Sequence, residues 1–149
     1  VLCIDETFVR EIYGLLRALE CLIYESALPY IDDELIDELK AVNEEIGLIA
    51  AGQTLSTGYI DLNTKFHGLI MSRGGNSKAI ELYRYYHMLI RALRKSYMPS
   101  IVRVQAVYGE HEELIAALEK KDALAIKAAV DKHVGHAMEN FLKVYAGQI

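Results

Sequence analysis

The chain has 149 residues, 52% of them hydrophobic and 25% charged, with only two prolines. That composition excludes a disordered or collagen-like chain and predicts one domain with a substantial core. Sixteen Lys and Arg against 21 Asp and Glu leave a net charge of −5, the wrong sign for a surface that holds nucleic acid by itself.

Apolar residues recur at helical spacing throughout, and sustained strand alternation is absent. Asp5 is a suitable N-cap for a first helix with Phe8, Ile12, Leu15, Leu19 and Leu22 on one stripe, ending before Pro29. Asp32 and Asp33 open a second, highly charged helix that Gly52 closes. Ser56 or Thr57 caps a third through Met71, and the Arg73-Gly74-Gly75-Asn76 break leads to a fourth, capped by Asn76 and running to about Tyr97. Pro99 starts a fifth, and Asp122 caps a sixth that reaches about Tyr145. The expected fold is all-α, an antiparallel bundle of about six helices.

Four polar residues interrupt the apolar stripes. The third helix reads Ile60, Asn63, His67, Ile70; the fifth Val104, Val107, His111, Leu114, Leu118; the sixth Ile126, Val130, His133, Ala137, Phe141, Val144. Asn63 and His67 are four apart and therefore neighbours on one face. Three imidazoles and one amide oxygen converging inside a bundle form a sensible ligand set for Zn²⁺ or Ni²⁺. Taken singly, each histidine also reads as a core residue satisfied by hydrogen bonds. His111-Glu112-Glu113-Leu114-Ile115 is not the HExxH motif, and no Glu-x-x-His occurs, which removes the ferritin-like di-iron pattern. His136 falls off the stripe, at the rim. His87 either lines a cavity or packs. Glu110 and Glu112 flank His111 but point roughly 100° away from its stripe.

The strings Asn63-Thr64-Lys65-Phe66-His67, Gly75-Asn76, Glu110-His111 leading to Ala116-Ala117-Leu118 and Asp122, and Val130-Asp131-Lys132-His133 resemble the FCD domain. This is the helical effector-binding and dimerisation domain at the C-terminal end of FadR-subgroup GntR regulators. The resemblance covers essentially the whole of residues 1–149. It implies a metal held by Asn63, His67, His111 and His133, where many members have an acidic residue in place of Asn63. It also implies a small organic acid completing the metal's coordination, a homodimer, and DNA contact only through a winged helix-turn-helix expected to precede this chain. Leu16 stands where members often carry a carboxylate-binding arginine. Arg17 follows it, either as a surface residue or as a displaced substitute, and Arg91 is a second candidate for the effector. The alternative from another class is a metal-dependent hydrolase with a three-histidine site.

Cys3 and Cys21 lack CxxC spacing, which predicts reduced thiols in a cytoplasmic protein, and no apolar run is long enough to span a membrane. The start at Val1-Leu2-Cys3, without methionine, predicts a piece of a longer protein.

Overall fold

The computed structural model describes residues 5–54, 56–93 and 99–145. These form six helices and no strand: α1 Glu6–Ala27, α2 Asp33–Ala50, α3 Tyr59–Ser72, α4 Ser77–Leu93, α5 Ile101–Glu119 and α6 Ala123–Tyr145. The expected all-α bundle is what the chain adopts. No helix among the described residues is long and apolar enough to cross a membrane.

Side-chain caps set most of the boundaries. Asp5 accepts from the Phe8 N–H, Asp32 from Leu35 and Asn76 from Ala79. Asp122 accepts from both Leu124 and Ala125. Each satisfies a first-turn donor that the helix itself leaves open. Two expected starts are corrected. Neither Ser56 nor Thr57 caps α3; both lie in a short 3-10 turn, Ser56–Gly58, and Gly58 enters α3 in a right-handed conformation that leaves no side chain in the capping position. Pro99 stands before α5 rather than in its first turn, and Ser100 caps that helix through the Arg103 N–H. The expected end of α4 near Tyr97 falls outside the described residues, as do Cys3 and the basic residues Arg94 and Lys95.

Gly52 ends α2 with φ +71°, donating to the Ile49 carbonyl while Gln53 donates to that of Leu48. This is a left-handed helix stop, which glycine adopts without a Cβ penalty. Gly52→Ala should therefore destabilise the fold by about 1–2 kcal/mol, read as a lower urea midpoint at unchanged m-value.

The helices pack in an order that differs from their order in the chain. α1 packs on α6, α6 on α5, α5 on α2, α2 on α3, and α3 returns to α1, with α4 applied to the outside of α1. Five helices thus close a ring. α1 meets three neighbours, and this rotates its buried face from the expected stripe to Val9, Ile12, Tyr13, Leu16, Glu20, Ile23, Tyr24 and Ala27. Leu15 and Leu22, expected inside, are each almost half exposed. On α5 the expected stripe is buried throughout, whereas Val144 of α6 is exposed.

The apolar core has two parts. The larger includes Leu39 and Val42 of α2, Phe66 and Ile70 of α3, and Leu114 and Leu118 of α5. The smaller holds Ile46, Ile49, Tyr59, Val104 and Val107 of the same three helices. Along each helix the break between the two falls at a polar residue: Asn43 on α2, Asn63 on α3, and Glu110 with His111 on α5. The site lies in this polar layer.

Candidate metal centre

Among the described residues the buried polar or charged side chains are Glu20, Asn43, His67, Glu110, His111 and His133. All six meet in the one layer. Leaving a buried polar group without a partner costs about 1–3 kcal/mol, so a bundle that concentrates every such group at one point requires a physical reason.

The three histidines come from α3, α5 and α6, and one ring nitrogen of each lies within 4.8 Å of the other two. The Nε2 atoms of His67 and His133 are 3.1 Å apart. Their Nδ1 atoms face acceptors on the far side of each ring. His133 Nδ1 lies 2.7 Å from Glu110 Oε2. His67 Nδ1 lies 2.6 Å from the Tyr24 hydroxyl and 2.9 Å from Glu20 Oε1. His111 Nδ1 lies 3.1 Å from Asn43 Oδ1. The Asn43 amide is fixed in that orientation because its nitrogen donates to the Tyr108 carbonyl and to Glu112.

These acceptors decide the tautomers. Burial pushes the Glu20 carboxyl up, but the charge and contact of His67, with His133 and Tyr24, bring it down to about 2. Burial likewise opposes ionisation of Glu110, and hydrogen bonds from His133, Arg103 and His136 bring it to about 2 as well. An ionised carboxylate only accepts, so His133, hydrogen-bonded to Glu110, carries its proton on Nδ1 and keeps a lone pair on Nε2; the 2.9 Å ion-pair contact with Glu20 favours the same tautomer of His67. Burial, reinforced by the other two imidazoles and Arg103, holds His111 well below the ordinary histidine range. Burial also lowers His133, against the pull of Glu110 and Glu20. Burial thus favours the neutral form of His111 and His133, and a cation coordinated between the three rings would take up their ring nitrogens together.

The unpartnered atoms support that conclusion. His111 Nε2, Asn63 Oδ1 and Glu20 Oε1 are buried with no hydrogen-bond partner, the last in ion-pair contact with His67. Two imidazoles on one Zn²⁺, each about 2.0–2.1 Å from it in tetrahedral geometry, have nitrogens roughly 3.3 Å apart, close to the 3.1 Å separation found here. The donor set therefore fits a borderline divalent ion. Packing holds the rings in place: Phe66 stacks on His111 with centroids 3.8 Å apart and planes 1° from parallel, and meets His67 edge-on.

Three of the sequence-derived site residues, His67, His111 and His133, thus lie together, and Asn63 stands four residues before His67 on α3 with its Oδ1 buried. The proposed effector residues fall elsewhere. His87 and Arg91 line a cavity of about 530 Å³ between α3 and α4, whose wall includes Asn63, Thr64 and Asp61. Arg91 donates to Asp61 at 2.9 Å, and His87 stacks on Tyr83. Arg17 is not in this region. It lies on the exposed α1–α6 face, 3.6 Å from Asp131. Leu16, by contrast, is buried, so that position of α1 does point into the bundle.

Glu110 corrects the sequence reading most sharply. It is buried rather than turned away, because α5 packs against α2 on one side and α6 on the other and buries a face wider than one stripe. Arg103 grips it through two nitrogens at 2.7 and 3.1 Å, and His136 reaches it from the rim at 2.7 Å. Glu20, Tyr24 and Asn43 were also missed. A lone acid among apolar neighbours at Leu16, Leu19 and Ile23 was the available signal for Glu20.

The FCD domain family model matches residues 11–136. The chain belongs to the FCD domain family. It is also 29% identical over 136 residues to the uncharacterized HTH-type transcriptional regulator YdhC of Bacillus subtilis (strain 168), an alignment covering 91% of this chain and 61% of that protein. The FCD chain described here thus spans about three fifths of that relative's length. No solved structure matches it.

Proposed function

We propose that this FCD domain is the effector-sensing and dimerising part of a GntR/FadR-type transcription regulator. A divalent metal, Zn²⁺ or Ni²⁺, is held by His67, His111, His133 and Asn63, and it supplies a Lewis-acidic position for a carboxylate or hydroxyl oxygen. The observation that carries this reading is the convergence of every buried polar side chain of the described residues on three Nε2 lone pairs.

The effector is a small organic acid. It enters the α3–α4 cavity, whose wall includes Asn63, four residues before His67 on α3, together with Arg91 and His87 as donors. With Asn63 in place of an acid the direct ligands are all neutral, so a divalent ion keeps its full charge and attracts an anion strongly. An acid bridging α3 and α4 favours one packing of those helices over another. That differential contact is what a sensor needs in order to change the spacing of two DNA-reading heads in a dimer. Family membership and the likeness to an HTH-type regulator support the placement.

A hydrolase built on the same histidines would need a base free to accept a proton from bound water. The two buried carboxylates stand behind imidazoles instead, and Glu110 is further engaged by Arg103. The sensor reading is the better supported.

A panel of short mono-, di- and tricarboxylic acids, screened by thermal shift against Zn²⁺-loaded and chelator-stripped protein, tests it. At least one acid should raise the melting temperature of the loaded form only, and Arg91→Ala should weaken that response. Equal shifts in both forms, or none in either, would contradict the reading.

A further inference from the structure

Every imidazole of the centre is held from behind by a different helix of the ring: His67 by Glu20 and Tyr24 of α1, His111 by Asn43 of α2, and His133 by Glu110 of α5. Two of these backing groups are carboxylates whose side chains are only 3% exposed. Removing a charge from water is costly, and burying an ion pair in a core is often no more stabilising than burying apolar groups of the same shape. Packing alone therefore does not explain why two carboxylates occupy this layer.

Their positions do suggest a purpose. Each stands on the Nδ1 side of its ring, Glu110 in a 2.7 Å hydrogen bond with His133 and Glu20 in a 2.9 Å ion-pair contact with His67 beside the Tyr24 hydroxyl, so each favours the proton on Nδ1 and increases the electron density on Nε2. Arg103 holds Glu110 through both guanidinium nitrogens, leaving its carboxylate little freedom to turn away from His133. Asn63, four residues before His67 on α3, offers a buried, unpartnered oxygen without charge.

We propose that Glu20 and Glu110 are positioning residues of the metal centre, which lock His67 and His133 as Nε2 donors and supply from behind the rings the negative charge that Asn63 does not supply beside the ion. This inference rests on the metal-binding reading above. It differs from that reading in assigning metal affinity to two residues that do not touch the ion. It also predicts a coupling: a charge placed beside the ion should matter more once a charge behind the rings has been removed.

The experiment is a competition titration of Zn²⁺ against a chromophoric chelator, using the parent chain, Glu20→Gln and Glu110→Gln, each with and without Asn63→Asp. Glutamine keeps the shape and one acceptor oxygen but removes the charge. Each glutamine variant should bind Zn²⁺ about 10–100-fold more weakly than the parent. Asn63→Asp should recover a larger factor in the glutamine variants than it adds to the parent. The visible absorption of the Co²⁺-loaded forms should shift as well, which a merely structural role would not cause.

A parent chain that binds Zn²⁺ while both folded variants bind it equally well, with no shift in the Co²⁺ spectrum, overturns this inference and leaves the metal site standing. A parent chain that binds no Zn²⁺ overturns both. Should Glu110→Gln fail to fold because Arg103 loses its partner, Glu20→Gln, which has no such partner, decides by the same criteria.

Discussion

A divalent ion in thousandfold excess over its dissociation constant should stabilise this domain by about 4 kcal/mol. For a chain of this size that corresponds to a rise in melting temperature of roughly 8–16 °C, and a chelator should reverse it. The cause is a bond to His111 Nε2, which has no hydrogen-bond partner within the protein, together with bonds to His67 and His133, whose Nε2 atoms lie 3.1 Å apart. Substituting His67 or His133 with Ala should abolish the rise. If hydrogen bonds alone satisfied the histidines, His133→Leu would stabilise the fold and metal would change nothing.

The response has a defined pH window. His111 and His133 are held below the ordinary value of 6.5 in the folded chain, so the unfolded chain binds more protons as pH falls through about 6.5. Metal affinity and stability should both decline from there downward, since imidazole must be neutral to ligate. Glu20 and Glu110 act in the same direction at lower pH. Their carboxyls fall from the ordinary 4.5 to about 2 on folding, so their contribution persists above 4.5 and is lost as pH drops towards 2. Melting curves at stepwise pH, with and without Zn²⁺, would separate the two windows.

Phe66→Ala should cost about 3–5 kcal/mol in the metal-free protein, a large share of the roughly 5–15 kcal/mol that holds a domain together. Phe66 is completely buried and its ring lies flat on His111. Its loss opens a cavity beside a ring whose orientation determines where Nε2 points. Urea denaturation of the chelated variant measures the first effect, and its Zn²⁺ affinity, which should also fall, measures the second. A loss below about 1 kcal/mol would mean that the neighbouring helices close over the cavity, and that Phe66 is not what holds His111 in place.

The residues that carry the site were legible because helical periodicity exposes a polar residue on an apolar stripe. His111 between Val107 and Leu114 is inward under any packing of α5, and it is fully buried. Burial of both Glu110 and His111 could not be read from one stripe, because a helix lodged between two neighbours buries a wide arc. The same cause misplaced the buried face of α1. Phe8, Ile12, Leu15, Leu19 and Leu22 make as good a stripe as Val9, Tyr13, Leu16, Ile23 and Tyr24, and contact with α3, α4 and α6 decides between them. The groups behind the imidazoles come from α1, α2 and α5. Their meeting is a property of the ring order, which differs from the chain order and leaves no local signal.

The most direct test is anomalous diffraction from crystals of the protein purified without chelator, recorded at the absorption edge of the metal it carries. A single peak within coordination distance of His67, His111 and His133 Nε2, with Asn63 Oδ1 turned towards it, is the predicted result. Density that shows the three imidazoles hydrogen-bonded to one another or to water, with no anomalous peak between them in crystals soaked with Zn²⁺ or Ni²⁺, would contradict it.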